Sequence, residues 1–536
     1  MRVSYSARIL GRLPFIRRLK SPESQLTAMM LAYTGVFCLV SLMRFYTFRT
    51  YLDLGIFDQA FSSSLHGRLF YETPDLVFIP SGNFLGTHFA PILFFLLPIY
   101  AVFPAPQTLL VVQTVFIALG AIPVYLVAKE LLKKQKIAVL LSGLYLLNPA
   151  TQSLNLFDFH LEAFLPLFLG MFYYSLIKKK WKSYILFLGL SLITIEFAPI
   201  MVGAICLSFL IMNSGNVLSR ITHLRDLFKP SNLSYTLPII TIPLAAASFY
   251  GQLFGGGFVA GTHSLPQEQL TGFFVGIGQW QTLGDKFVFW ILVFGSLAFI
   301  PIRSGRSMVM IAPWIVVTAI TSIHPFVELG YQYAGAFVTP YLLFCTAYAI
   351  RKLNTRLWLR RLLAISILAS IMLSPLNPLM TSVVGGIAYE EGLPIPDAHD
   401  AIIYAAVSQV PSNASILVQN NFFAHFTNRP DAYLYTPDNN TRPEFILADA
   451  SSRWYTQPIF NYFPICHFVK QGLVNGTYGL LMLNEGVVLL RRSIQGIAPS
   501  PAQMNVLYFT CPLDSKACGN NACRPSFLLT DQPHES

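Results

Sequence analysis

The chain has 536 residues, of which 54% are hydrophobic and 11% charged, a balance outside that of soluble globular domains. Its net charge of +11 sits in short basic clusters between apolar runs. Their placement between apolar runs speaks against a nucleic-acid partner and reads as a multi-pass membrane protein.

Apolar stretches of about 17–25 residues, long enough to cross the hydrocarbon layer as helix, recur from Gln25 to about Pro378. The first starts too late and runs too long for a cleaved signal peptide and is expected to be retained. The clusters "RRLK" (17–20), "KKQK" (133–136), "KKKWK" (178–182), "RITHLRDLFK" (220–229), "RSGR" (303–306) and "RKLNTRLWLRR" (351–361) are positive-inside signals. Holding them in the cytoplasm places residues 1–26 inside and sends the first helix outward, so the loop 49–89 lies outside.

That loop opens with "YLDLGIFDQAF" (51–61). Leu54, Phe57, Phe61 and Leu65 share one helical face until Gly67, which predicts an amphipathic helix along the membrane surface with Asp53 as its N-cap. Asp58, five residues on, points about 140° away. Next, "PILFFLLPIYAVF" (91–103) is short and Pro-rich; a re-entrant segment there keeps "KKQK" inside.

The stretch 184–212 would be ~43 Å long as one helix and carries a single charge, Glu196, near its middle. A hairpin of two short helices turning at Glu196 keeps both flanking basic clusters on one side. Later spans are expected at about 237–254, 286–302, 308–324, 333–350 and 362–378, for about ten or eleven in all within a domain covering 27–378.

From about Thr381 the apolar runs shorten to strand length: "SILVQ" (415–419), "FILAD" (445–449), "YGLLML" (478–483) and "GVVLLRR" (486–492). Segment 379–536 therefore reads as an extracytoplasmic α/β or β-rich domain with its own core. Cys466, Cys511, Cys518 and Cys523 there suit one or two disulfides. Sequons stand at Asn413, Asn439 and Asn475.

The outer loops gather most acids and histidines of the membrane part: Asp53 and Asp58, His88 in "THFAP", Asp158, His160 and Glu162 in "LFDFHLEAF", Glu196, and His324, Glu328, Tyr331 and Tyr333 in "HPFVELGYQY". No dinucleotide, Walker, GxSxG or HExxH motif accompanies them.

The collinear set "DLGIFDQ", "HFAPILFFLLPIY", "FDFHLEAF", "TIEFAP", "YQYAGAFVTP" and "VPSNASILVQNNFFAHFTNRPDAYLYTP" resembles domain-of-unknown-function family 2079 of prokaryotic membrane proteins. That family is similar to the GT-C superfamily of multi-span glycosyltransferases, which carry an acid in the first outer loop and take sugar from a polyprenyl- or dolichyl-phosphate carrier. The resemblance implies a helical GT-C-like bundle in the cell membrane. By that resemblance Asp53 and Asp58 occupy the first-loop acidic position and Asp158 the second-loop one, with Asp53 foremost; the chemistry of sugar transfer adds Glu196 as a further catalytic carboxylate and makes His88, His160, Arg68, Gln59, Tyr331 and Tyr333 the expected substrate contacts. It also allows a divalent cation, Mg or Mn, on Asp53 and Asp158. Spaced five apart rather than adjacent, Asp53 and Asp58 depart from the superfamily pattern and leave open which one is catalytic. A transporter or flippase with an Asp158–Glu196–Glu328 relay is the alternative, and a non-catalytic scaffold a third. Each acid also has a plain structural role open to it: Asp53 as a cap, Asp58 as a solvated surface group.

Overall fold

A computed structural model describes residues 21–77, 79–260, 283–321, 323–353, 355–381, 383–435, 441–457 and 464–492. "RRLK", Asn439, Cys511, Cys518 and Cys523 lie outside them.

The first span, Pro22–Tyr46, starts where the Ser21 side chain accepts from the backbone of Ser24 and Pro22 supplies the preset φ of a first helical residue. Pro106–Leu132, Leu161–Lys178, Pro230–Gly255 and Gln332–Lys352 are likewise long and apolar enough to cross a membrane. Three bent pairs, including Gln135–Leu147 with Pro149–Leu156, raise these five to as many as eight. Among the described residues the ten or eleven expected fall to at most eight, because Trp181–Leu192 has only 12 residues and Leu283–Gly295, of 13, forms one bent pair with the span expected after it. At 1.5 Å per residue neither bridges ~30 Å of hydrocarbon. Leu93–Val102 is the helix of the 91–103 segment, and it exposes Phe94, Phe95, Ile99 and Val102.

The hairpin at Glu196 is present. Helices Trp181–Leu192 and Ala198–Met212 flank a turn over residues 193–197, and Pro199 stands in the first turn of the second.

Ion pairs join the start of the first helix and the regions of "KKQK" and "KKKWK" at one end of the bundle. Lys129 reaches Glu23 at 3.1 Å and Lys178 reaches Glu130 at 3.0 Å. At the other end of the first helix, the buried Arg44 guanidinium donates to the carbonyls of Ala388 and Ile387, both at 3.1 Å. The chain turning at 387–388 thereby seals the end that carries the C-terminal α/β part.

That part holds a five-stranded sheet, β1 (Ile416–Val418), β2 (Ala432–Tyr433), β3 (Phe445–Asp449), β4 (Tyr478–Asn484) and β5 (Val487–Arg492), in the order β2-β1-β3-β5-β4. β1 runs parallel to β2 and β3, while β5 is antiparallel to β3 and β4. β4 and β5 join through Glu485 and Gly486, both at positive φ (45° and 92°), as a two-residue hairpin of right-handed twist requires.

Alternation decides what each face buries. Leu417, Ile446, Ala448, Val488 and Leu490 pack on helix Ile465–Val474. Ile416, Val418, Phe445, Leu447, Val487 and Leu489 join one apolar cluster with Phe45, Phe48, Leu54, Phe57 and Phe61. The α/β part therefore has one core of its own and shares a second with the membrane part.

Helix Leu52–Leu65 is the element between them, and the sequence expectation for it needs correcting. Leu52 and every residue from Leu54 to Ser63 are buried, so it does not lie on a membrane surface. Its polar side finds protein partners about 370 residues away. Gln59 is fully buried, donating to the carbonyls of Arg429 (3.2 Å) and Ala432 (3.3 Å) and accepting from the Thr73 amide (2.9 Å). Asp58 accepts from Tyr100 at 2.7 Å and Thr427 at 2.6 Å.

Candidate functional site

The helix start at Leu52 has no side-chain cap of its own: Tyr51 is the cap residue and Asp53 stands one turn position inside. The capping carboxylate is Asp158, whose two oxygens accept from the amides of Tyr51 (2.9 Å) and Leu54 (3.2 Å). Asp158 holds φ at 43°, a left-handed conformation that Asp tolerates. Asp53, relieved of capping, turns its carboxylate toward a cavity. Removing the cap with Asp158→Ala should cost about 1–2 kcal/mol, read as a lowered melting midpoint in detergent; an unchanged midpoint would show that water replaces the carboxylate.

The cavity measures about 300 Å³, at the lower end of small-ligand sites, which run from about 300 to 1,000 Å³. Four stretches distant in sequence line it: Tyr51, Asp53 and Phe57; Asp75, Thr87 and His88; Phe157, His160 and Glu162; Ile195, Glu196 and Phe197. Pro325, Phe326, Tyr331, Gln332 and Tyr333 close it. Close glycine contacts position the last group. Gly330 meets the backbone of Gly385 and Gly386, where an added Cβ would stand 2.6 Å from a carbonyl oxygen, and Gly386 holds φ at 107°. The Gly330 amide donates to Gly385 (3.0 Å) and its carbonyl accepts from Ala388 (3.1 Å).

Glu196, 1% exposed, receives His88 Nδ1–H on Oε1 at 2.9 Å. Burial opposes the His88 cation, but Glu196, with Asp75 and Glu162 beyond it, lifts its pKa to about 9, so the ring is an imidazolium at neutral pH. His160 differs. Its Nδ1 sits 2.9 Å from the Phe157 carbonyl and must carry the proton, while burial lowers the pKa to about 3, the distant His88 charge adding to the fall. The neutral ring therefore presents Nε2 as an acceptor, 3.8 Å from Asp53 Oδ1.

Asp53 keeps 26% of its side chain open. Loss of solvation at the cavity wall nonetheless raises its pKa to about 7; Glu162 adds to the rise and His88 opposes it. Glu162 accepts from Gln332 Nε2 at 3.4 Å, and Asp75 is tied to the Thr87 hydroxyl.

Of the sequence candidates, the cavity brings together Asp53, His88, His160, Glu196, Tyr331 and Tyr333. Asp58, Asp158, Gln59 and Arg68 do not line it. Asp58, Asp158 and Gln59 spend their polar atoms on structural hydrogen bonds, and the exposed Arg68 guanidinium stacks 3.3 Å from the Tyr71 ring centre. Glu328 faces His324 at 3.8 Å instead. The cavity adds Glu162, Gln332, Asp75 and Thr87 to the candidates. Glu162 carried a signal, since "LFDFHLEAF" sets it in an outer loop with Asp158 and His160; "ETPDL" around Asp75 has none.

The donor set does not suit a cation on Asp53 and Asp158, because Asp158 faces the helix amides and not the cavity. Among the described residues no group of three His, Cys, Asp or Glu side chains is placed to hold a metal ion.

Residues 44–464 match the family model "Predicted membrane protein (DUF2079)", and the chain belongs to that family. No curated protein matches it.

Proposed function

We propose that this protein is a membrane glycosyltransferase that moves a sugar from a polyprenyl- or dolichyl-phosphate carrier to an acceptor on the outer side of the cell membrane, with the cavity as its reaction chamber. The observation that carries this reading is the convergence of Asp53, His88, Glu162 and Glu196 from four separate stretches on one aromatic-walled cavity at the end remote from the Glu23–Lys129 and Glu130–Lys178 pairs. The positive-inside rule puts that end outside. Cys466, in the α/β part, is disulfide-bonded, which suits an oxidising compartment.

Asp53 takes the acceptor hydroxyl proton as the new bond to the anomeric carbon forms. The bond from that carbon to the phosphate oxygen breaks, and its electron pair leaves with the phosphate. The imidazolium of His88, held by Glu196, donates to the departing oxygen. The neutral His160 orients the acceptor through Nε2.

Purified protein in vesicles, given a radiolabelled lipid-phosphate sugar, should cleave the sugar from phosphate. Label crossing the membrane with its bond intact would instead establish a transporter. Activity should be bell-shaped in pH: it rises as Asp53 loses its proton near about 7 and falls as His88 loses its own near about 9. Glu162 raises the Asp53 pKa, so Glu162→Gln should move the acid limb to lower pH; an unmoved limb would assign that limb to another group.

A further inference from the structure

Resting on the transferase reading above, we propose that the sugar held in this cavity bears a free, protonated amino group. Of all the residues lining the cavity, none is Lys or Arg, and four are carboxylates: Asp53, Asp75, Glu162 and Glu196. His88 is already matched to one of them, and His160 is neutral. The walls also present hydrogen-bond acceptors that lack donors. Glu196 Oε2 and Gln332 Oε1 are buried with no hydrogen-bond partner, in residues only 1% and 4% exposed. His160 Nε2 is a third acceptor.

A buried carboxylate oxygen and a buried amide oxygen without protein donors are costly unless water or a ligand completes them, and a ligand that does so must bring donors. A neutral sugar brings hydroxyl donors but no charge. An N-acetylated one brings a single N–H and an extra acceptor. An ammonium brings three donors and the positive charge that the carboxylates lack.

The aromatic walls add to this preference. Tyr331 stands edge-on to Phe157 at 4.9 Å between ring centres, and Tyr333 lies 4.4 Å from Phe326. A cation among such rings is favoured electrostatically in a way that a neutral group is not.

The test is binding to the full chain in lipid nanodiscs near neutral pH, by calorimetry, with glucosamine, N-acetylglucosamine, glucose and magnesium chloride as separate probes. Glucosamine should bind at least tenfold more tightly than either neutral sugar. Glu196→Gln should erase most of that preference and also lower the melting midpoint, because it leaves the His88 cation buried without its carboxylate. Glu162→Gln provides a second reading should Glu196→Gln unfold the protein. Equal binding of the three sugars, tighter binding of N-acetylglucosamine, or magnesium binding that displaces glucosamine would overturn the proposal. The two readings fail separately. Transfer of a neutral sugar without amine preference ends this inference alone, whereas amine preference with no bond cleavage on any lipid-linked sugar, the glucosamine-bearing one included, ends the transferase reading.

Discussion

Asp53→Asn is expected to lower the rate of sugar release from a lipid-phosphate donor by about 100-fold or more, the scale on which a positioned general base acts. Asparagine keeps the shape and the neighbouring His160 contact but cannot accept the acceptor's proton. The paired control is Asp58→Asn. That carboxylate lies one and a half turns along the same helix, yet it is held by Tyr100 and Thr427 and does not line the cavity. Its replacement should lower the melting midpoint and leave the rate per folded molecule within a few-fold of wild type. Equal loss in the two variants would mean that the helix as a whole, and not the Asp53 carboxylate, supports turnover.

The second large effect is structural. Gly55 faces the segment Asn420–His425, and a Cβ added there would stand 2.4 Å from Cδ1 of Phe423 and 3.1 Å from the Ala424 amide nitrogen. Phe423 is fully buried and has no room to retreat. Gly55→Leu should therefore cost about 3 kcal/mol, at the upper end for overpacking, and loosen the α/β part from the membrane part. Limited proteolysis reads this directly: cleavage within 420–435 should appear in the variant under conditions that spare wild type. A variant as resistant as wild type would show that the Phe423 side chain and its neighbours absorb the added side chain without loosening this contact.

The sequence made some of this legible because the signal was local. A lone acid inside 29 otherwise uncharged residues requires a polar surrounding, and Glu196 does lie in the turn between two short helices. Four expected strand segments coincide with β1, β3, β4 and β5, since alternation or a short apolar run between turns marks each one. β2 was hidden in "RPDAY", where Pro and Asp signal a turn and only Ala432 and Tyr433 pair.

What stayed hidden was non-local. Asp53 as a cap was a sound reading of its neighbours, but the cap comes from Asp158, 104 residues beyond Leu54. The helix 52–65 shows an apolar stripe opposite polar residues, the pattern of a surface helix. Its polar residues are instead satisfied by a segment at 427–432 that no periodicity within 52–65 could announce. The same limit applied to the site. Asp53, Glu162 and Glu196 are each visible as an acid of an outer loop, and only the folded chain shows that they share a wall with His88 while Asp58 and Arg68 do not.

The central claim is that the cavity makes Asp53 a base matched to neutral pH. Difference infrared titration of the purified protein, wild type against Asp53→Asn, follows the protonated carboxyl band of this residue directly. The account predicts a band that disappears with a midpoint near about 7 and is missing from the variant. A midpoint near the ordinary aspartate value of about 4 would contradict it.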